Sequence, residues 1–209
     1  TPTDTNTQRA FANDANNRVV TGDGSGGLNG EANLIFDGSN LTVNSLTVGK
    51  GANSVTANTV VGENALDAAV TGGYNTAIGS GALTTNTSGT NNTAVGYLAL
   101  EENTTGATNV AVGMRTLQEN TTADANTAVG YKALEDNTTG ASNVAIGANA
   151  LDANTTGSNL TALGVGALGS NTTANDNVAV GMQALNVNTT GTGNTAVGHD
   201  ALEVNTTAS

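Results

Sequence analysis

The sequence predicts an all-β chain, a parallel β-solenoid or β-roll of nine 17-residue coils, and three observations lead there. First, glycine recurs at Gly62, Gly79, Gly96, Gly113, Gly130, Gly147, Gly164, Gly181 and Gly198, always 17 residues apart, with no insertion or deletion. Second, the unit around it, N-T-A-V-G-x-x-A-L-x-x-N-T-T-G-x-x, is made of residues that favour strands and turns over helices. Third, large side chains are scarce: aromatic residues are 2% of the 209, with no Trp, two Met and two Phe, beside 28 Gly. An unbroken period places every unit in the environment of the one before it. Small side chains fill only a thin interior, so the object is narrow. Helical solenoids need about 33 to 47 residues per repeat, which leaves 17 too short for a helix pair.

Taken along the chain, residues 1–27 are polar and rich in Gly, Asn, Asp and Thr, an extended or loosely ordered segment. Residues 28–56 carry Asn33-Leu34-Ile35-Phe36, the turn signal Asp37-Gly38, then Leu41-Thr42-Val43 and Leu46-Thr47-Val48-Gly49. These are short strands joined by tight turns, suited to lead into or cap a solenoid. Residues 57–209 are the nine coils.

Within a coil, each column has a physical reading. T-A-V is a short strand in which Thr or Val and the residue before glycine share one face, with Ala between them on the other. The column Val95, Val112, Val129 is expected to face into the coil, and the Ala face to meet another surface closely. Gly96, Gly113 and Gly130 suit a tight corner. Leu100, Leu117 and Leu134 belong to a leucine column present in all nine units, a stacked core ladder. Asn103, Asn120 and Asn137 mark a second turn, where stacked amides can bond to one another along the axis. Two short strands and two corners per coil account for the spacing. At about 4.8 Å per coil, nine coils span about 43 Å.

Charge removes several function classes. Five basic residues against 17 acidic ones, net −12, leave no basic patch for a nucleic-acid backbone or an anionic membrane surface. No apolar run approaches the roughly 18 residues of a membrane span, so no membrane insertion is expected. The chain opens on Thr1 rather than Met and closes on ordinary repeat sequence, which suggests a processed product or a piece of a longer fibre. An open last coil would also suit head-to-tail docking.

Candidate sites are few, and each has a plainer reading beside it. His199 stands alone in a variable column, with nothing to complete a triad or metal cluster, and reads as a tolerated surface substitution. The same column holds Tyr97, Met114, Tyr131, Val165 and Met182, a stripe that reads as a subunit or core contact, or as a receptor-binding strip. Glu102, Glu119 and Asp136 stack, flanked by Glu101 and Glu135. Like charges in a ladder repel, and calcium would relieve that, but a solvated face is the simpler reading. The Asn-Thr-Thr triplets match a glycosylation acceptor, although turn chemistry already explains them. Successive Thr pairs raise an ice-binding array as a further, weaker alternative. The glycines recur in every coil without the lysine and helix of a phosphate loop. No cofactor and no catalytic residue is expected.

Asn143-Val144-Ala145-Ile146-Gly147, recurring as Asn109-Val110-Ala111-Val112-Gly113, resembles the head repeat of trimeric autotransporter adhesins. The fuller unit more closely resembles repeats in the tail fibres of bacteriophages, cyanophages in particular. The segment from Asn17-Arg18-Val19-Val20-Thr21-Gly22 to Leu46-Thr47-Val48-Gly49 is similar to parts of such fibres, so the likeness covers nearly the whole chain. The resemblance implies a homotrimer of parallel β-rolls, on a virion or a cell surface, serving as a rigid shaft with a cell-surface receptor among its partners. A non-enzymatic fibre protein is the expectation. A secreted subunit that polymerises head to tail is the alternative.

Overall fold

The computed structural model describes residues 18–22, 28–36, 41–43, 46–51, 55–68 and 70–208. The opening residues 1–17 and the Asp37-Gly38 turn lie outside them. All regular elements among the described residues are strands. Within the polar opening, β1 (Arg18–Gly22) pairs antiparallel with β2 (Leu28–Phe36). The meander continues through β3 (Leu41–Val43) and β4 (Leu46–Gly49), each antiparallel to the one before. Then β4 pairs antiparallel with β5 (Thr59–Gly62), the first strand of the repeat. From β5 every coil adds one strand, parallel and in register, up to β13 (Thr195–Val197). Lead-in and coils therefore share a single 13-stranded sheet in sequence order.

The register is the period itself: Thr93 faces Val110, Ala94 faces Ala111 and Val95 faces Val112. The parallel β-solenoid with 17-residue spacing is thus present as the repeat predicts. Each coil nevertheless contains one short strand, not two: four residues in the first and three in the rest. The A-L-x-x-N side is a wall of turns. Its leucines, Leu66 to Leu202, hold φ between 48° and 55°, the left-handed region. That conformation is unfavourable for an L-residue by about 1–2 kcal/mol. From Leu66 to Leu185 it is offset because it turns the leucine side chain fully inside, and burying a leucine contributes about 1.5–3 kcal/mol. The backbone still pairs from coil to coil without forming a strand: Leu100 N donates to Thr116 O at 3.1 Å and Glu102 N to Gln118 O at 2.9 Å. At the glycine corner donation runs the other way, Gly96 N to Ile78 O at 2.8 Å and Leu98 N to Ser80 O at 3.0 Å. Every interior coil is bonded to both neighbours.

The strand faces are the reverse of the sequence expectation. Ala94, Ala111 and Ala128 are fully buried and point into the coil, while Val112 and Val129 are each 36% exposed on the outside, with Val95 half-buried beside them. The reason is width. Leu100 from the turn wall already fills much of the interior, and the coils after the first carry only a methyl opposite their leucine; in the first coil Val60 takes that place and is also fully buried. The valine column stacks in register on the solvent face. The glycine column behaves as the corner requires, with φ between 129° and 155°. A Cβ on Gly130 would also stand 2.6 Å from the carbonyl oxygen of Gly147.

Candidate functional site

The interior is unusually polar for a core. Beside Ala94, Ala99 and Leu100, the interior coils bury asparagines completely, and two asparagine columns run along the axis. In the turn column, Asn103 Nδ2 donates to Asn86 Oδ1 at 2.9 Å, Asn120 to Asn103 at 2.9 Å and Asn137 to Asn120 at 3.0 Å. The series continues to Asn205. The second column precedes the strand and was not singled out in the sequence. There Asn109 N donates to Asn92 Oδ1 at 2.9 Å, and Asn109 Nδ2 donates to Ala123 O at 2.8 Å. The signal for it was present, since N-T-A-V-G begins with this asparagine in most units. Leu160 interrupts the column: its N–H donates to Asn143 Oδ1, but it offers no oxygen onward. Burial without partners would be costly for each amide, so the continuous bonding is what permits a polar interior. The glycosylation pattern falls on these same residues. The Nδ2 of Asn103, where a glycan would attach, is buried and bonded to Asn86 Oδ1 and Gly106 O, so Asn103 cannot carry one in the folded coil.

The variable column lies outside. Tyr97, Met114, Tyr131, Val165 and Met182 are 44–52% exposed, next to the outward valines. They form the edge of an apolar face rather than core. Its centre is the aliphatic column running from Val61 through Ile146 and Leu163 to Val197, flanked by alternating Thr and Val such as Thr127, Val144 and Thr161.

The carboxylates divide. Glu102, Glu119 and Asp136 are exposed, as a solvated face requires. Glu135 is buried instead, held by Arg115 Nη2 at 2.8 Å and Lys132 Nζ at 3.0 Å. Arg115 Nε also donates to Gln118 Oε1 at 2.6 Å, and Gln118 Nε2 to Glu101 Oε2 at 2.6 Å. Two of the chain's five basic side chains thus serve one buried carboxylate, which explains their place in an otherwise acidic chain. The bond to Glu135 raises the Lys132 pKa, and the Lys132 ammonium also lies 5.6 Å from the Tyr131 ring centroid. In the next coil Asp152 has no such cation. Burial pushes its carboxyl above the usual range; its own backbone N–H and that of Ala153 oppose the rise, and nearby Asp136 and Glu135 add to it.

Among the described residues, no group of three or more His, Cys, Asp and Glu is placed to hold a metal ion. His199 Nδ1 lies 2.9 Å from Asp200 Oδ2, and both are exposed. The paired threonines do not form one flat array: the Thr104 hydroxyl donates to Thr121 O at 3.0 Å, leaving Thr105 as the exposed member. No described helix is long and apolar enough to cross a membrane. These features define the chain as a parallel β-solenoid repeat protein with polar axial ladders and one apolar outer face. Comparison with family models, curated proteins and solved structures found no match to it.

Proposed function

We propose that the chain is a structural fibre protein, a rigid shaft of a phage tail fibre or surface adhesin, assembled as a side-by-side homotrimer. In this reading it stands on a virion or at a cell surface and holds a receptor-binding element away from its base. Its work is mechanical, and no single residue performs chemistry.

The observation that carries the reading is the apolar outer face. The aliphatic column from Val61 to Val197 is continuous over nine parallel strands, and the positions beside it are Thr or Val. Eight steps of about 4.8 Å, and three-residue strands about 10 Å long, give a strip of roughly 380 Å². That is within the range of the largest apolar patch on a soluble monomer, and such patches often serve an interaction. A copy of the same chain has the same rise per coil, so valine columns can interdigitate along their full length. Stiffness has a separate support, since each interior coil is hydrogen-bonded to both neighbours on the strand wall and on the turn wall.

Sedimentation and negative-stain electron microscopy test the proposal together. The expected result is trimers seen as rods of one fixed length. Replacing Val112 and Val129 with Glu should yield monomers with an unchanged circular dichroism spectrum. A monomeric parent chain would remove the side-by-side assembly. Filaments of indefinite length would instead establish the head-to-tail polymer.

A further inference from the structure

The 17-residue period is unbroken, but the side-chain columns on it are not. In one column the coils carry Leu98, Arg115, Lys132, Asn149, then Gly166, then Gln183; in another Glu101, Gln118, Glu135, Asp152, then Gly169, then Asn186. Only the coil that begins at Gly164 has glycine in both. Upstream, the same two columns are filled by side chains that satisfy one another, namely Arg115, Lys132, Gln118 and Glu135. At Gly166 and Gly169 that filling is missing, and an open notch of about 560 Å³ results.

The notch is walled by Asn149 and Asp152 from the coil before, Gln183 and Asn186 from the coil after, and Ser170 between, with Met182 at its rim. A Cβ on Gly169 would lie 2.6 Å from Asn186 Oδ1 and 3.4 Å from Asp152 Oδ1. Both oxygens therefore face the space that a side chain would occupy. Among the described residues, none of Asn149, Asp152, Gln183 and Asn186 hydrogen-bonds another side chain within the notch, in contrast to the upstream network.

We infer that this notch binds a neutral saccharide, a unit or two of hexose presenting vicinal hydroxyls. Its size falls in the range of small-molecule sites, about 300–1,000 Å³. Its lining is too polar for an apolar ligand. A carboxylate within it, on a chain of net charge −12, disfavours phosphate and other anions. Three amides and a serine hydroxyl supply donors and acceptors together, the carboxylate accepts from two hydroxyls, and Met182 gives the sugar's C–H face an apolar edge. A free oligosaccharide and a surface-linked glycan share this chemistry.

The test is saturation-transfer NMR of the full chain with maltotriose and cellotriose, alongside a printed array of neutral surface glycans. The double variant Gly166→Gln, Gly169→Asn copies the next coil's Gln183 and Asn186 into the gap. It should fold: Gly166 sits at φ 66°, close to the 56° that Gln183 adopts in the same column, with no atom nearer to its Cβ than Gln183 Cγ at 3.7 Å, and the 2.6 Å approach at Gly169 is to Asn186 Oδ1, the end of a flexible side chain that can turn aside. The expected result is sugar binding by the parent chain, at least tenfold weaker binding by the filled variant, and a cooperative melt lowered by no more than a few degrees, the cost of a left-handed Gln at 166. Gln183→Ala, which opens the notch further, should also weaken binding about tenfold. Binding to the array that free trisaccharide does not compete would identify a surface-linked glycan as the source. No binding to any sugar, or equal binding by the filled variant, overturns the inference.

Discussion

The strand wall and the turn wall enclose the same interior by different means. On the strand wall, side chains vary freely within a type: Val, Ile and Leu all occupy the outward column, and Thr alternates with Val beside it. Backbone pairing in register does the holding there, and it is indifferent to which aliphatic residue is carried. The turn wall permits less exchange, with Ala69 the one departure in its asparagine column and none in its leucine column. Its leucine is the same in every coil because a left-handed backbone must direct inward one large apolar side chain that is not branched at Cβ. Its asparagine is retained because the amide bonds along the axis as well as within its own turn. Uniformity among coils therefore follows conformation and hydrogen bonding more closely than hydrophobicity.

Substitutions can break or sharpen this contrast. The corner joining the walls should be the least tolerant. Gly130→Ala places a Cβ against the Gly147 backbone at a φ of 135°, and should lower unfolding free energy by at least about 3 kcal/mol in urea titrations. Next, Leu117→Ala should cost about 2–5 kcal/mol. Val112→Ala, on the outer face of the same coil, should cost under about 1 kcal/mol when measured on monomer. Equal costs would mean that the walls do not differ as described. Asn120→Ala leaves the buried Asn137 amide and Asn103 oxygen without their partner, a loss of about 1–3 kcal/mol by the same titration.

The smallest effect is electrostatic. Burial raises the Asp152 pKa, so its carboxylate disfavours the folded state at neutral pH. As pH falls through the raised value, the folded chain takes up a proton that the unfolded chain takes up only at lower pH, and stability rises. Asp152→Asn should thus raise the melting temperature slightly at pH 7, with the difference vanishing in acid. A loss of stability at pH 7 would show that the carboxylate has an uncharted partner.

What could be read from the sequence follows the same divide. Period, register, the core leucines and the turn asparagines all repeat, and repetition alone locates them. The orientation of the strand was not legible, because Thr-Ala-Val is apolar enough on either side and the deciding quantity is the space left opposite Leu100. Nor was the left-handed leucine, since propensity gives no reason to place it there. The replacement of a second strand by turns is a consequence of that conformation. Glu135 looked like one of a row of solvated acids; only proximity to Arg115 in the preceding coil, 20 residues earlier, reveals its burial. The gap at Gly166 and Gly169 was visible as two glycines among long polar residues, but an intact period concealed it.

The turn-column amides have one more property. From Asn205 back to Asn86 each Nδ2 points toward the preceding coil, so the amide dipoles add head to tail. Chains of this kind polarise cooperatively, each bond strengthening the next. The rod thus has an electrical direction independent of its ionised groups. A missing amide near the middle, at Asn137, should be felt over more of that chain than one near its end, at Asn188.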